Sequence, residues 1–212
     1  MFTGLVQATG MVRSATSTPS GRRLEVDLGD WTHRPAEGDS IAIDGCCLTV
    51  AGPPEGSVVA FDAVPETLAK TTLGDLEAGD RVHLEHAVTA STLMGGHFVQ
   101  GHVDGVGRVD EIRRGSDWRL IIAAPADLMP YFSPKGSVAV AGVSLTLAHV
   151  RPDDHLFELA IIPTTLELTK LGDLSPGSRV NIEADMLAKV AVQTVERTAR
   201  ALLAGSARGP TS

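Results

Sequence analysis

Short apolar runs that alternate with polar residues recur along most of the chain and predict β-strands. They are rich in Val and Ile, and Gly and Pro separate them. In the first half of the chain the runs are 24–28, 40–43, 46–50, 58–63 and 81–86, and in the second half they are 120–123, 137–140, 143–150, 156–162 and 179–184. Five or six short strands in each half predict a small antiparallel barrel or sandwich in each.

Helical spacing occurs at only a few places. The stretches 67–72 and 165–170 are each expected to form a short helix before a Leu-Gly-Asp-Leu turn. Asp185 is a good N-cap, and residues 186–204 are predicted to form a longer helix that ends at Gly205. The apolar stripe of this helix consists of Leu187, Val190, Val195, Ala199 and Leu202. It has no second helix to pack on, so we expect it to form an oligomer contact.

The two halves repeat each other at an offset of about 97 residues. Residues 39–50 align with 136–147, and further matches precede and follow this block in the same order. This period is longer than a typical solenoid unit, so each copy should be a domain with its own core. We predict a first domain at 1–96, joined through 91–96 to a second at 97–185, then a helix at 186–205 and a disordered tail at 206–212.

Composition and charge restrict the class of partner. Aromatic residues make up only 4% of the chain and the net charge is −8, so we expect no nucleic-acid partner. The repeat begins at the first residues and no apolar run approaches the ~18 residues of a membrane span. We therefore expect no signal peptide, no membrane association and a cytoplasmic location.

The only two cysteines, Cys46 and Cys47, are adjacent, which excludes a disulfide framework and leaves a thiolate metal site without ligands. Strand parity puts Cys47 on the same face as Thr49, opposite the apolar face that holds Cys46. The second copy has Ser144 and Thr146 in the same places. Exposed hydroxyls on a half-buried strand are common, but the recurrence indicates one hydrogen-bonding wall in each domain.

Several motifs together resemble the riboflavin synthase family, alpha-chain type, whose members carry a duplicated lumazine-binding domain. The match runs from Met1 to about Arg200 in the family's order. The motifs are Met1-Phe2-Thr3-Gly4, Gly45 to Val50, Gly95 to Gly105, Gly142 to Thr146, and the Val-Asn-Ile-Glu run that ends near Asp185.

The resemblance implies a mainly β fold of two tandem six-stranded Greek-key β-barrels and a C-terminal α-helix that assembles a homotrimer. It implies a transferase that dismutates two 6,7-dimethyl-8-ribityllumazine molecules, moving a four-carbon unit to give riboflavin and 5-amino-6-ribitylamino-uracil. The site would form between the N-terminal barrel of one subunit and the C-terminal barrel of the next. No metal or redox cofactor takes part, and association with lumazine synthase is a further expectation.

The family motifs also imply which residues contact substrate in each barrel. The N-terminal pocket would use Gly4, Leu5, Val6, Cys47, Leu48, Thr49, Asp62, Ala63, Val64, Pro65, Glu66 and Thr67. The C-terminal pocket would use Gly101, His102, Val103, Lys135, Ser144, Leu145, Thr146, Ile162, Pro163, Thr164, Thr165, Leu166 and Glu167. Lys135 rests on the resemblance alone.

The reaction needs a base near neutral pH to take a proton from the acidic C7 methyl of a lumazine, and histidine suits this role. We expect His102, in a glycine-rich segment, to serve in preference to His97. Either water or a side chain can be the nucleophile that prepares the donor ring. Cys47 is intrinsically more nucleophilic than Ser144, but we interpret it first as a contact and polariser. The differences Cys47 against Ser144 and Leu5 against His102 are candidates for separating donor from acceptor.

Two other classes of protein stay open at this stage. A non-catalytic lumazine- or flavin-binding paralogue would keep the barrels but tends to lose paired polar residues in one of them. A flavin-dependent reductase would need a nucleotide-binding domain, and the chain has no glycine-rich strand-to-helix fingerprint. Two departures between the copies, Ala141 against Asp44 and Thr164 against Glu66, remove a carboxylate from the second copy.

Overall fold

The computed structural model describes residues 1–115 and 117–206 of the chain, and these residues form a mainly β structure. The strands are β1 (Ala8–Thr18), β2 (Gly21–Asp27), β3 (Ser40–Ile43), β4 (Cys46–Thr49), β5 (Val58–Ala63), β6 (Arg81–His86), β7 (Gly105–Arg113), β8 (Trp118–Ala123), β9 (Ser137–Val140), β10 (Val143–Arg151), β11 (Leu156–Ile161) and β12 (Arg179–Ala184). The helices are α1 (Pro65–Lys70), α2 (Pro163–Leu168) and α3 (Met186–Ser206).

The strands form two six-stranded antiparallel sheets with the same connectivity. The first has the order β4-β3-β6-β1-β2-β5, and its outer strands approach each other at a single bridge between Val50 and Phe61. The second is a closed barrel of the order β10-β11-β8-β7-β12-β9. In each, the last strand returns to lie beside the first, which is the Greek-key connection. The predicted fold class is confirmed.

Most predicted elements agree with the observed ones, and five predicted strands match to the residue. The predicted runs omitted β1 and β7, which are long strands with many Ser, Thr, Arg and Gly residues and therefore little apolar alternation. Helices α1 and α2 begin two residues earlier than predicted, at Pro65 and Pro163, where the fixed φ of proline suits a first helical turn.

The C-terminal helix runs one residue past its predicted end. Gly205 does not stop α3, which continues to Ser206, so the predicted tail begins one residue too early. The remainder of that predicted tail, 207–212, lies outside the described residues. Among the residues that the structure describes, no helix is long and apolar enough to cross a membrane.

Strand parity divides each pocket strand into a core face and an outer face, as predicted. On β4, Cys46 and Leu48 are buried while Cys47 is half-buried and Thr49 is exposed. On β10, Val143 is buried while Thr146 is exposed. Each barrel has its own apolar cluster, and burial of such side chains stabilises by about 1.5–3 kcal/mol each.

His83, on β6, joins the first barrel to the second through both nitrogens of its buried ring. Nδ1 lies 2.8 Å from the Ala141 carbonyl oxygen, and Nε2 is 2.8 Å from the Lys170 backbone nitrogen. A carbonyl oxygen accepts and an N–H donates, so these partners select the neutral ring with its proton on Nδ1. Burial lowers the pKa of His83, and this effect is larger than the opposite effect of the Asp44 charge. The ring therefore stays neutral.

Asn181, on β12, makes the reciprocal contacts from the second barrel to the first. Its Nδ2 donates to the Asp44 carbonyl oxygen at 2.9 Å, and its Oδ1 accepts from the Thr72 N–H at 2.7 Å. Asn181 occupies the place in the second copy that His83 occupies in the first. We call the contacts of His83 and Asn181 the barrel latch.

Helix α3 is anchored at its first turn and exposed beyond it. The Asp185 carboxylate accepts from the Leu187 N–H at 2.9 Å, which caps the helix, and Lys189 forms an ion pair of 2.6 Å with Asp104. Apolar side chains on the helix are more than half exposed, for example Val190 at 56% and Val195 at 68%. The helix thus extends from the second barrel with an apolar surface in solvent.

Candidate functional site

The polar faces of β4 and β10 form equivalent walls, one on each barrel. Cys47 and Thr49 lie on the outer face of β4, and Ser144 and Thr146 lie on the outer face of β10. The thiol and the serine hydroxyl are half-buried, whereas both threonines are exposed. These walls can donate and accept hydrogen bonds to a ligand at the barrel surface.

The two glycine segments, Gly4 to Val6 and Gly101 to Val103, each contact the wall of the opposite barrel, which differs from the grouping expected from the sequence. The carbonyl of Gly4 accepts from the Ser144 N–H at 2.8 Å, and the carbonyl of Gly101 accepts from the Cys47 N–H at 2.9 Å. The segment Gly4 to Val6 therefore lies beside the wall of the second barrel, and the segment Gly101 to Val103 lies beside the wall of the first. Sequence order suggested the opposite because each segment leads directly into its own barrel.

The apolar contacts agree with this exchange. Val103 packs against the core cluster of the first barrel, together with Leu48 and with Leu68 of α1. Val6 packs against the cluster of the second barrel, together with Leu145 and other residues of that barrel. Each pocket therefore combines its own strand and short helix with a segment that belongs to the other copy.

The remaining predicted contact residues lie where β5 and β11 end and the short helices begin. Asp62 and Ala63 close β5, Val64 caps α1, and Pro65, Glu66 and Thr67 form its first turn. Ile162 caps α2, and Pro163, Thr164, Thr165, Leu166 and Glu167 belong to that helix. Ala63 is buried, whereas Val64 and Ile162 are 53% and 63% exposed and lie open to a ligand or a second subunit.

Lys135 lies in the exposed turn before β9, next to the wall of the C-terminal pocket. Its backbone N–H donates to the Leu147 carbonyl at 2.7 Å, which places it one residue from Thr146. Lys135 has a φ of +70°, an unusual backbone conformation for a residue with a side chain. The first barrel has Gly38 at the equivalent position, so a lysine marks only the C-terminal pocket.

The two candidate histidines differ in surroundings. His97 Nδ1 lies 2.7 Å from the Ser144 hydroxyl, and its Nε2 is buried without a hydrogen-bond partner among the described residues. Burial lowers the pKa of His97, and Asp185 acts in the opposite direction. His102 is exposed beside Gly101 in the N-terminal pocket. An imidazole thus contacts the hydroxyl of one wall, a contact that the sequence did not predict.

Two buried glutamates support the glycine segments, a role that the sequence did not predict. Glu85 and Glu183 are 4% and 3% exposed and accept hydrogen bonds from the backbone of the two segments. Burial raises the pKa of both carboxyl groups, that of Glu183 to about 7. A sequence signal existed, because glutamate recurs at the equivalent place in both copies, on β6 and on β12.

A groove of about 520 Å³ lies elsewhere, beside the hairpin turns where the two barrels touch. Its lining includes Asp44, Lys170 and Asn181, and it contains none of the predicted contact residues. The turns meet so closely that a Cβ atom on Gly45 would lie 2.5 Å from the Gly142 nitrogen. The groove belongs to the contact between the barrels, and the predicted pockets lie on other surfaces.

Each of the two barrels, with its polar wall and glycine segment, matches the family model described as the lumazine binding domain, over residues 3–87 and 100–185. Curated riboflavin synthases align with nearly the whole chain. The protein from Mycobacterium tuberculosis (strain ATCC 25618 / H37Rv) is 41% identical, with 89% of this chain and 95% of the relative covered. The protein from Escherichia coli (strain K12) is 42% identical, with coverages of 93% and 92%. The chain belongs to the riboflavin synthase family, and it is an enzyme of the transferase class.

Solved structures of LumP are similar as well. The complex with riboflavin has a TM-score of 0.78 and 30% identity, and it covers 87% of this chain and 99% of LumP. The complex with 6,7-dimethyl-8-(1'-D-ribityl) lumazine has a TM-score of 0.77 and 28% identity, with the same coverages. Small flavin and lumazine ligands therefore bind to a neighbour that shares this fold.

Proposed function

We propose that this chain converts two molecules of 6,7-dimethyl-8-ribityllumazine into riboflavin and 5-amino-6-ribitylamino-uracil. The observation that carries the proposal is the pair of equivalent pocket walls in a member of the riboflavin synthase family. One lumazine gains the four-carbon unit that the other loses, so the atoms balance without an oxidant or a reductant. Two identical substrates account for two copies of one domain.

In this proposal His97 accepts the proton from the C7 methyl of the lumazine in the C-terminal pocket. Its contact with the Ser144 hydroxyl places it at the wall, and its lowered pKa keeps it neutral and able to act as a base near pH 7. His102 serves the same purpose at the N-terminal pocket, beside Cys47. The two pockets still differ chemically, because one pairs a histidine with the Ser144 hydroxyl and the other pairs a histidine with the Cys47 thiol. This difference suits one donor and one acceptor.

We place the working site between the N-terminal barrel of one subunit and the C-terminal barrel of the next, in a homotrimer assembled by α3. The exposed threonines of both walls and the apolar surface of α3 support this arrangement. Holding two flat rings together removes several kcal/mol from a bimolecular barrier. We further propose a cytoplasmic location, and association with lumazine synthase stays a prediction.

A non-catalytic lumazine- or flavin-binding protein is the second candidate, because the LumP complexes share the fold. The identity to curated riboflavin synthases is higher, and the polar residues of both walls are present here. Cys47 with Thr49 and Ser144 with Thr146 provide two equipped pockets. This favours the enzyme.

Incubation of the purified protein with the lumazine alone tests the proposal. We expect riboflavin fluorescence to grow without any added cofactor, with equimolar formation of the uracil product. A binding protein would change the fluorescence of the lumazine once and then produce no riboflavin. That result would reject the synthase function and leave the second candidate.

A further inference from the structure

Each buried glutamate holds the backbone of one glycine segment. Glu85 Oε1 accepts from the Thr3 N–H at 2.6 Å and from the Thr3 hydroxyl at 2.7 Å, and its Oε2 accepts from the Gly4 N–H at 3.1 Å. Glu183 Oε1 accepts from the Gln100 N–H at 2.7 Å, and its Oε2 accepts from the Gly101 N–H at 3.0 Å. Carboxylates that accept from several N–H groups at once fix a backbone more firmly than neutral acceptors do.

The held segments then cross to the opposite barrel. Glu85 lies on β6 of the first barrel, but the carbonyl of Gly4 accepts from the Ser144 N–H of the second. Glu183 lies on β12 of the second barrel, but the carbonyl of Gly101 accepts from the Cys47 N–H of the first. Each glycine therefore connects a glutamate of one barrel with the pocket wall of the other.

The connection is tight because neither glycine leaves space for a side chain. A Cβ atom on Gly4 would lie 2.6 Å from the Cβ of Ser144, and one on Gly101 would lie 2.5 Å from the Cβ of Cys47. Both glycines also have a positive φ, +75° and +80°, which other residues rarely adopt. A displacement of either segment must move the adjacent wall residue or open a gap beside it.

We propose that Glu85 and Glu183 are positioning residues that act across the two barrels. Each holds one glycine segment in place and, through that segment, positions the pocket wall of the opposite barrel. That these pockets bind substrate rests on the proposed function, whereas the contacts between each glutamate, glycine segment and opposite wall do not. The arrangement couples the geometry of each pocket to the docking of the two barrels. Disturbing a carboxylate in one barrel alters the pocket in the other.

The charges around Glu183 make its hold on Gly101 depend on pH. Burial has the largest influence and raises the pKa of Glu183, and Asp104 acts in the same direction. The N–H groups of Gln100 and Gly101 and the charge of Lys189, on α3, favour the ionised form. When the carboxyl group takes up a proton, as pH falls through about 7, one of its two N–H partners faces an O–H donor. The N-terminal pocket then loses part of its support. Next to Glu85, the titratable neighbour is His86.

Alkylation of Cys47 by a small maleimide or iodoacetamide reports on the N-terminal pocket without any need for turnover. Cys46 does not interfere, because it is 5% exposed and burial raises the pKa of its thiol to about 12. We expect Glu183→Gln to raise the alkylation rate of Cys47 about tenfold, the effect of losing one charge-assisted hydrogen bond. The matched variant Glu85→Gln should leave this rate within about twofold of the wild type.

The opposite pattern is expected for the C-terminal pocket. In a protein with Cys47→Ser and Ser144→Cys, Glu85→Gln should accelerate alkylation of the introduced thiol, and Glu183→Gln should not. If either glutamate variant accelerates alkylation of the thiol in its own barrel, or accelerates alkylation of both thiols equally, the crossed assignment is wrong. Absence of riboflavin formation with the crossed pattern intact would instead reject only the proposed function.

The wild-type protein provides a second measurement in case Glu183→Gln does not fold. Hydrogen exchange of the Gln100 and Gly101 amides, corrected for intrinsic exchange, should show less protection at about pH 6 than at about pH 8. The amides that bond within β9 and β10 serve as an internal reference. Equal protection at both pH values would overturn the role of the Glu183 carboxylate.

Discussion

Replacement of His83 tests whether the barrel latch stabilises the docking of the two barrels. His83→Ala removes a buried ring and leaves the Ala141 carbonyl and the Lys170 N–H without their partner. His83→Asn is the matched variant, because Asn181 already makes both kinds of contact at the equivalent place. The second variant keeps a donor and an acceptor on a shorter side chain.

The magnitude follows from the groups left unpaired. Each buried backbone group that loses its partner costs about 1–3 kcal/mol, and the cavity left by the ring adds about 1–2 kcal/mol. We therefore expect His83→Ala to lower the free energy of unfolding by about 4 kcal/mol. His83→Asn should lower it by about 1–2 kcal/mol, since only the fit of the amide is imperfect.

The pH dependence of the difference between wild type and His83→Asn gives a second, independent result. The pKa of His83 is lower in the folded protein than its ordinary value of 6.5, so the unfolded chain binds more protons at acid pH. Stability from this residue is complete above about pH 6.5 and is lost as pH falls towards the folded pKa. His83→Asn lacks this loss, so its deficit relative to wild type should shrink at about pH 5.5.

Urea unfolding followed by Trp fluorescence and circular dichroism measures both effects, with m-values compared to confirm that the same surface unfolds. Two outcomes would refute the reasoning. One is a loss for His83→Asn as large as that for His83→Ala. The other is a wild-type advantage over His83→Asn that grows as the pH falls from about 7.5 to about 5.5.

Three further predictions concern the glycine segment, the helix and the base. Gly101→Ala should lower the free energy of unfolding by about 3 kcal/mol or more in thermal unfolding experiments, because the added methyl would clash with Cys47 at a position of positive φ. Gly29→Ala is the control: Gly29 also has a positive φ but has open space around it, so this variant should lower the free energy of unfolding by only about 1 kcal/mol. If α3 assembles the proposed trimer, Val190→Asp, on its exposed face, should give monomers in sedimentation analysis and abolish turnover. A trimer in both the wild type and the variant would reject the proposed contact. His102→Gln should lower kcat about a hundredfold, and unchanged turnover would exclude it from proton transfer.

Much of the fold was accessible from sequence because it depends on local rules. Alternation of Cys46, Cys47 and Leu48 decided which side chains enter the core, and the repeat then transferred that assignment to Ser144. Asp185 predicted the start of α3 because aspartate is a common N-cap residue, and its carboxylate accepts from the Leu187 N–H. The strand β1 was not predicted because Gly10 and Val12 are its only buried residues, so it shows little alternation of apolar and polar positions.

The candidate site was only partly accessible, since its geometry depends on contacts between distant parts of the chain. The wall residues followed from parity, but the contact of His97 with Ser144 joins residues on different segments and has no counterpart in the first copy. Glu85 and Glu183 are identical in the repeat, which signals importance without saying what they hold. Their roles became visible only through the backbone groups placed against them.

The sequence by itself determined that there are two equivalent β domains, which strand faces carry polar walls, and that a capped helix follows them. These features arise from periodicity and local hydrogen bonding, which neighbouring residues specify. Only the tertiary structure decided that Gly4 serves the second barrel and Gly101 the first. Segment and wall meet through docking of the two barrels, and no local pattern encodes which of two near-identical surfaces a segment will contact.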